Sequence, residues 1–205
     1  MKNKKGILPI FAGSLFLVAA LLLTGYNLYD EYRAGQSVGN IAKLIEISPG
    51  GETSEQSFDE VEIPDYILNP NMDMPTQTID GVVYIGILEI PSLELELPVI
   101  DNWSYPNLKI APCRYSGSAY TNNFVIAAHN YKSHFGNLKN LSDGETVIFT
   151  DVDGNTFTYK VVLHETLEPE AVEEMTSDEY SLSLFTCNAS GSYRLTVRCE
   201  LIANP

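Results

Sequence analysis

Cysteine, positive charge and long apolar runs are all scarce in this chain. The three cysteines, Cys113, Cys187 and Cys199, are too few for a disulfide scaffold, and an odd count leaves at least one thiol unpaired. Twelve basic side chains face 27 acidic ones, a formal net charge of −15, so the surface repels a phosphate backbone and no nucleic-acid partner is expected. Histidine occurs three times, at His129, His134 and His164, and tryptophan once, at Trp103. No internal repeat or low-complexity tract is visible. Aromatic residues are not scarce: eight Phe and twelve Tyr give the chain apolar surface to bury, which argues against wholesale disorder. A length of 205 residues suits one domain of ordinary size plus an extra segment.

The single long apolar run lies at the N-terminus. Lys2, Lys4 and Lys5 precede it, and no acidic residue occurs before Asp30. The uncharged stretch from Ile7 to Thr24 is long enough to cross a bilayer at about 1.5 Å per residue. Lysines ahead of the span favour a cytoplasmic N-terminus, with the rest of the chain outside the cell. A cleaved signal peptide is the competing reading, but the run exceeds a typical h-region and Leu23-Thr24-Gly25-Tyr26-Asn27 lacks an Ala-x-Ala site. The expected organisation is a cytoplasmic tail (1–6), a transmembrane anchor (7–27), an extracellular stalk or linker (28–80) and a catalytic β-domain (81–205). Residues from Leu28 to Ile47 can continue the membrane helix as a stalk. After Pro49-Gly50-Gly51 the composition reads as an extended, solvated linker lying along the domain surface. Its acidic cluster, Glu52 to Glu62, is read as a solvated run without assigned function.

From Asp80 onward short β-rich runs are punctuated by turn signals. They include Val82–Ile90, Leu93–Ile100, Asn123–Ala128, Thr146–Thr150, Ser181–Cys187 and Arg194–Ile202. In the run after Asp153-Gly154-Asn155, alternation puts Phe157, Tyr159, Val161 and Leu163 on one face. Helical stretches are short, near Tyr131–Asn140 and Glu168–Met175. Seven or eight strands in about 125 residues point to a closed barrel or a sandwich. Asp151 and Asp153 do not form a calcium loop, because Gly154 comes too early and Val162 occupies the place of the terminal Glu. They mark a hairpin turn.

Candidate chemistry gathers at strand ends, where a scaffold presents reactive groups. Cys187 closes an apolar strand, and Arg194 opens the next. An antiparallel hairpin sets the two opposite each other. A neighbouring cation favours thiolate, so Cys187 is a plausible nucleophile. Arg198 shares the face of Arg194 but lies roughly 13 Å further along, too far to serve the same thiol. Of the three histidines, His129 is the best proton partner, since it ends the apolar strand Phe124 to Ala128. Each residue also has an ordinary reading: a core thiol, a surface imidazole, a solvated guanidinium.

Several segments resemble the sortases, membrane-anchored cysteine transpeptidases of the Gram-positive cell surface. Tyr84 to Pro91, followed by Leu97-Pro98-Val99, resembles the opening strands of that family. Phe124 to Asn130 resembles the strand carrying the family histidine, with Ala128 where a Gly commonly stands. Leu184-Phe185-Thr186-Cys187 is similar to the family's Thr-Leu-x-Thr-Cys signature, with Ser183 in place of the leading Thr. Tyr193 to Arg198 resembles the final strand, whose first Arg is the functional one. The resemblance covers roughly Asp80 to Ala203.

It implies a mainly β fold, the eight-stranded closed sortase-type barrel with short helices, preceded by one N-terminal transmembrane helix. It implies that Cys187, His129 and Arg194 are catalytic; no cofactor is expected, no metal-ligating residue is singled out, and metal dependence stays open. The expected partners are sorting-signal-bearing surface proteins or pilins, an amine acceptor of the cell wall or a pilin, and the membrane itself. Asn130-Tyr131 and Phe135-Gly136-Asn137-Leu138 are more similar to class B than to the His-Arg of classes A, C and D. Class B usually has a long helix between His164 and Ser181, for which there is little room, so the class stands as B-like or D-like. No clear lid motif of the pilin-polymerising class is present, and Ile63-Pro64-Asp65-Tyr66 is at best a distant echo of one. In an exported protein, Cys113 and Cys199 either pair as one structural disulfide or remain buried free thiols. A Cys/His hydrolase of cell-wall peptides and a non-enzymatic adhesion domain are the alternatives from other classes.

Overall fold

A computed structural model of the chain describes residues 7–47, 63–188 and 190–203. The tail (1–6) and the acidic cluster from Glu52 to Glu62 lie outside these described residues.

The apolar run is part of a long helix, α1 (Ile7–Ala42), with apolar length enough to cross a membrane. The helix continues well past the apolar run, to Ala42. Its first charged residues, Asp30, Glu31 and Arg33, coincide with the point where it meets the folded domain. Beyond them Ala34 and Val38 are buried against the domain, and Ile45 is buried just after the helix ends. The C-terminal part of α1 is thus docked on the folded domain.

The alternating and apolar runs form strands: β1 (Gln77–Ile79), β2 (Val82–Ile90), β3 (Leu95–Ile100), β4 (Cys113–Ser116), β5 (Phe124–Ala127), β6 (Thr146–Asp151), β7 (Thr156–Leu167), β8 (Leu182–Cys187) and β9 (Arg194–Ala203). They hydrogen-bond in the order β1-β2-β3-β4-β5-β8-β9-β7-β6, and β6 also pairs with β2. The eight strands β2 to β9 therefore close into a ring, with the three-residue β1 as an added edge. Closure removes exposed strand edges. It also explains why β5 is buried at every residue, and β2 from Tyr84 to Leu88. The closing seam needs Gly86, whose φ is +153°; a Cβ there would lie 2.1 Å from the Thr150 carbonyl oxygen.

The core is filled by Tyr84, Leu88, Phe124, Phe149, Phe157, Tyr159 and Val197, among others. Phe157, Tyr159 and Val161 are buried as the alternation predicts, but Leu163 is exposed. The β7–β9 register shifts between Val161 and Leu163. A bulge of this kind reverses the inside–outside sense of the residues beyond it, which strict alternation cannot foresee.

Part of the segment read as a linker packs along the barrel. Tyr66 of α2 (Asp65–Leu68) is buried, stacked on Tyr120 with ring centroids 4.5 Å apart, and Met74 is buried as well. Asp151 accepts hydrogen bonds from the Tyr120 hydroxyl at 2.7 Å and from the turn amides of Asp153 and Asn155 at 3.0 and 2.9 Å. Its oxygens serve the hairpin turn. The helical stretch expected near Tyr131–Asn140 is instead a run of turns ending in one 3-10 turn, Leu138–Asn140. Two short helices, α3 (Tyr105–Leu108) and α4 (Val172–Met175), flank the open end of the barrel.

Cys113 and Cys199 are free, fully buried thiols. They sit on β4 and β9, strands separated in the sheet by β5 and β8. The Cys113 thiol donates to the Ala111 carbonyl at 3.4 Å. Burial pushes both thiols up to about 12, so each is an inert core residue.

Candidate active site

Three neighbouring strands carry the three candidate side chains to one end of the barrel. β5 and β8 run parallel, with Ala127 beside Phe185, and the Ala128 amide donates to the Phe185 carbonyl at 3.1 Å. His129 follows two residues after the end of β5, and Cys187 closes β8. β8 and β9 are antiparallel, with Cys187 directly opposite Arg194. His129, Cys187 and Arg194 all line one cleft of about 230 Å³.

The cleft is walled by aromatic and apolar groups. Trp103, Tyr105 and Tyr115 line it with Phe185 and Met175. Their rings form a chain: Trp103 lies 5.9 Å from Tyr115, and Tyr115 lies 5.1 Å edge-on to Phe185. Trp103 is 39% and Tyr105 72% exposed, so this wall faces solvent. Exposed aromatics beside a groove are suited to grip a polypeptide's apolar side chains. Sequence reasoning missed them. The available signal was an isolated Trp followed two residues later by Tyr in a polar, proline-bearing connection.

The imidazole of His129 is half-buried, and its Nε2 is buried without a hydrogen-bond partner among the described residues. Burial pulls its pKa below the ordinary value; Asp30 opposes the shift and Lys109 adds to it. Burial thus favours the neutral imidazole of His129. The following loop is tightly built: the Phe135 amide donates to the His129 carbonyl at 3.1 Å, and those of His134 and Gly136 to the Tyr131 carbonyl at 2.9 and 2.8 Å. Gly136 is required there, since a Cβ would lie 2.5 Å from the Asn130 carbonyl oxygen. Tyr131 packs 4.9 Å from the His129 ring and reaches Asp30 of α1 with its hydroxyl. His134 is fully buried, neither ring nitrogen has a partner among the described residues, and burial lowers its pKa to about 4.

Arg194 donates to the Gly191 and Tyr193 carbonyls at 3.2 and 3.5 Å, which holds the guanidinium over the hairpin mouth. Among the described residues no carboxylate pairs with it. Arg198 differs in every respect. It is 1% exposed and donates to Glu165 Oε1 at 2.5 Å, Ser183 Oγ at 2.7 Å and the Met175 carbonyl at 3.0 Å. It is a structural cation. His164 stands on β7 with its Nε2 3.8 Å from Asp143 and lines neither cleft that borders Cys187. Tyr66 lines neither of these clefts, so the Ile63–Tyr66 segment does not cover the thiol.

The family model "Sortase domain" matches residues 88–202. The chain is 26% identical over 211 residues to sortase A of Bacillus anthracis, covering 98% of this chain and 97% of that protein. Among solved structures, Listeria monocytogenes sortase A is similar at a TM-score of 0.54 and 19% identity, over 59% of this chain and 88% of that one. Sortase C1 of Streptococcus suis is similar at a TM-score of 0.51 and 26% identity, over 58% of this chain and 73% of that one.

Proposed function

The chain belongs to the sortase family of transpeptidases, and from that premise we propose that it cleaves a sorting-signal peptide through a thioester on Cys187 and passes the acyl group to an amine. The carrying observation is that Cys187, His129 and Arg194 line one aromatic-walled cleft, with Cys187 and Arg194 directly paired across β8 and β9.

The proton accounting is closed. Neutral His129 takes the Cys187 proton, and the thiolate attacks the scissile carbonyl carbon. A carbon–sulfur bond forms, and the carbonyl oxygen gains negative charge opposite the Arg194 guanidinium, which donates to it. As the tetrahedral centre collapses, the carbon–nitrogen bond breaks and imidazolium His129 protonates the departing amine. An incoming amine then attacks the thioester and gives its proton to His129; the carbon–sulfur bond breaks, and the departing Cys187 sulfur takes that proton back, which restores the thiol and the neutral imidazole. No step requires a cofactor. Apolar walls slow attack by water on the thioester.

The physical setting supports the same reading. α1 would anchor the chain with residues 1–6 in the cytoplasm and 7–27 in the bilayer, placing the domain from 81 onward outside. Donor and acceptor would then both be tethered near the outer face of the membrane: a surface protein or pilin on one side, a cell-wall or pilin amine on the other. Between the class B-like and class D-like readings, a four-residue α4 argues against the former.

The test is transfer. Full-length protein in detergent is incubated with a panel of sorting-signal peptides and amines, and products are weighed. A peptide–amine conjugate should form and should disappear in Cys187→Ala. Hydrolysed muropeptides with no conjugate would support a cell-wall hydrolase instead, and unchanged peptides under every condition would support an adhesion domain.

A further inference from the structure

The apolar part of α1 stands clear of the folded domain. Leu15, Phe16, Leu17, Leu21, Leu22 and Leu23 are 63–76% exposed, and on the anchor reading above it is hydrocarbon that covers them. Residues 7–27, at about 1.5 Å each, span roughly 30 Å, the thickness of a bilayer's hydrocarbon core. Tyr26, Tyr29 and Tyr32 follow at 62–66% exposed. Exposed tyrosines at the end of an apolar span suit the membrane–water interface, where the ring meets lipid and the hydroxyl meets water. The outer interface therefore runs along residues 26–32.

The folded domain meets α1 at this same level. Asp30 accepts from the Tyr131 hydroxyl at 2.5 Å, Glu31 accepts from the Lys132 amide at 3.3 Å, and Arg33 donates to the Lys109 carbonyl at 3.4 Å. Three to six residues beyond the span is about 5–9 Å, comparable with the headgroup layer of one leaflet, about 5–8 Å. Both domain segments in these contacts belong to the active-site end. One is the loop after His129; the other follows α3, whose Tyr105 and Leu108 line the cleft. The carboxylates of the seam, Asp30 and Glu31, are half-buried and bonded to the domain, whereas its lysines, Lys109 and Lys132, are exposed. In a chain of net charge −15, that gives this one rim a cationic outer edge.

We propose that the domain is seated by its active-site end on the outer leaflet, with Lys109 and Lys132 against the phosphates of lipid headgroups. The inference rests on the anchor reading of α1 and names a second contact between protein and bilayer, beyond the span. An ammonium group on a phosphate is a charge-assisted pair, and a lysine stem can lie along the apolar boundary while its head stays in the polar layer. Such a seat fixes the height of the Cys187 thiol above the bilayer, and so selects peptides whose scissile bond is held at that height.

The test is fluorescence quenching in phosphatidylcholine nanodiscs. Full-length Cys187→Ala keeps only the buried thiols Cys113 and Cys199, so one added cysteine can be labelled with bimane in detergent before reconstitution. The added sites are Lys109→Cys, Lys132→Cys, Glu179→Cys and Leu17→Cys. Glu179 is exposed in the turn ahead of β8, whose six residues put it about 20 Å or more from Cys187. A nitroxide on the lipid headgroup should quench the labels at 109 and 132 at least about threefold more strongly than the label at 179. Equal quenching at the three sites, or none at 109 and 132, would overturn the seat. The label at 17 reports the anchor separately, through a nitroxide on the acyl chain. Quenching there without quenching at the lysine sites leaves the anchor reading intact and rejects the seat alone. No quenching at 17 rejects the anchor reading, and the seat falls with it.

Discussion

The hydroxyl of Tyr131 donates to Oδ2 of Asp30 at 2.5 Å and so fastens the loop after His129 to the helix that leaves the apolar span. Two further contacts share the same seam. The Lys132 amide donates to Glu31, and Gly35 packs so closely on Ser133 that a Cβ would lie 3.3 Å from the serine Cβ. Burial and the bond to Asp30 push the Tyr131 phenol up to about 12, so the bond persists across the physiological range.

Asp30 also faces His129 electrostatically and raises its pKa against the larger effect of burial. The acid-side inflection of the acylation rate should therefore lie below the ordinary histidine value, since the neutral imidazole is the active form. Replacing Asp30 by Asn should move this inflection further toward acid, because a group that favours imidazolium is gone. Tyr131→Phe keeps the carboxylate and removes only the tether; it should slow acylation with a smaller displacement of the pH profile. Stopped-flow acylation rates between pH 4 and 8 separate the two. An inflection that does not move in Asp30→Asn would contradict the coupling.

His134 should make the domain acid-sensitive. Its folded pKa is about 4 against an ordinary 6.5, so between those values the unfolded chain takes up a proton that the folded chain refuses. Stability from this group is complete above pH 6.5 and is lost as pH falls, by about 2 kcal/mol from pH 7 to pH 5. His129 is shifted in the same direction and adds to the trend. Denaturant unfolding of wild type and His134→Phe at pH 7 and pH 5 isolates the buried ring: the variant should lose less stability than the wild type.

Two arginines on one face of β9 should behave as opposites. Arg198→Ala strips a buried cation from Glu165 and Ser183 and should cost about 3–5 kcal/mol. Arg194→Ala removes a half-buried guanidinium bonded to two loop carbonyls; it should change stability by about 0.5 kcal/mol or less. The same change should cut transfer by about 10²- to 10³-fold, the cost of a lost oxyanion donor. Thermal melts and conjugate formation, measured on both variants, check the contrast.

The thiols give a simple count. Under denaturing, non-reducing conditions three reactive thiols are expected, since Cys113 and Cys199 are free. In the native protein only Cys187 should react quickly, because the other two are wholly buried. A count of one on denaturation would mean that Cys113 and Cys199 are paired.

Much of this arrangement was legible because it is periodic. Alternation marks β7 up to Val161, apolar runs mark β5 and β8, and the hairpin between Cys187 and Arg194 follows from two strands joined by a polar turn. The features that escaped are not periodic. β1 and β4 are three and four residues long, too short to show a pattern. The bulge before Leu163 is set by pairing with β9, a long-range event. Trp103 and Tyr105 reach the cleft through a loop and a short helix, and Lys132 belongs to a turn whose path depends on Gly136. The parallel pairing of β5 with β8 joins segments far apart in the chain that carry no local sign of each other.

The most direct measurement is the intact mass of the full-length protein, quenched in acid during turnover with an active sorting-signal peptide. A fraction of the protein should gain the mass of the peptide's N-terminal portion, at Cys187 alone and removable by hydroxylamine. Peptide cleavage at full rate with the adduct on another residue, or undiminished cleavage in Cys187→Ala, would contradict the thioester mechanism.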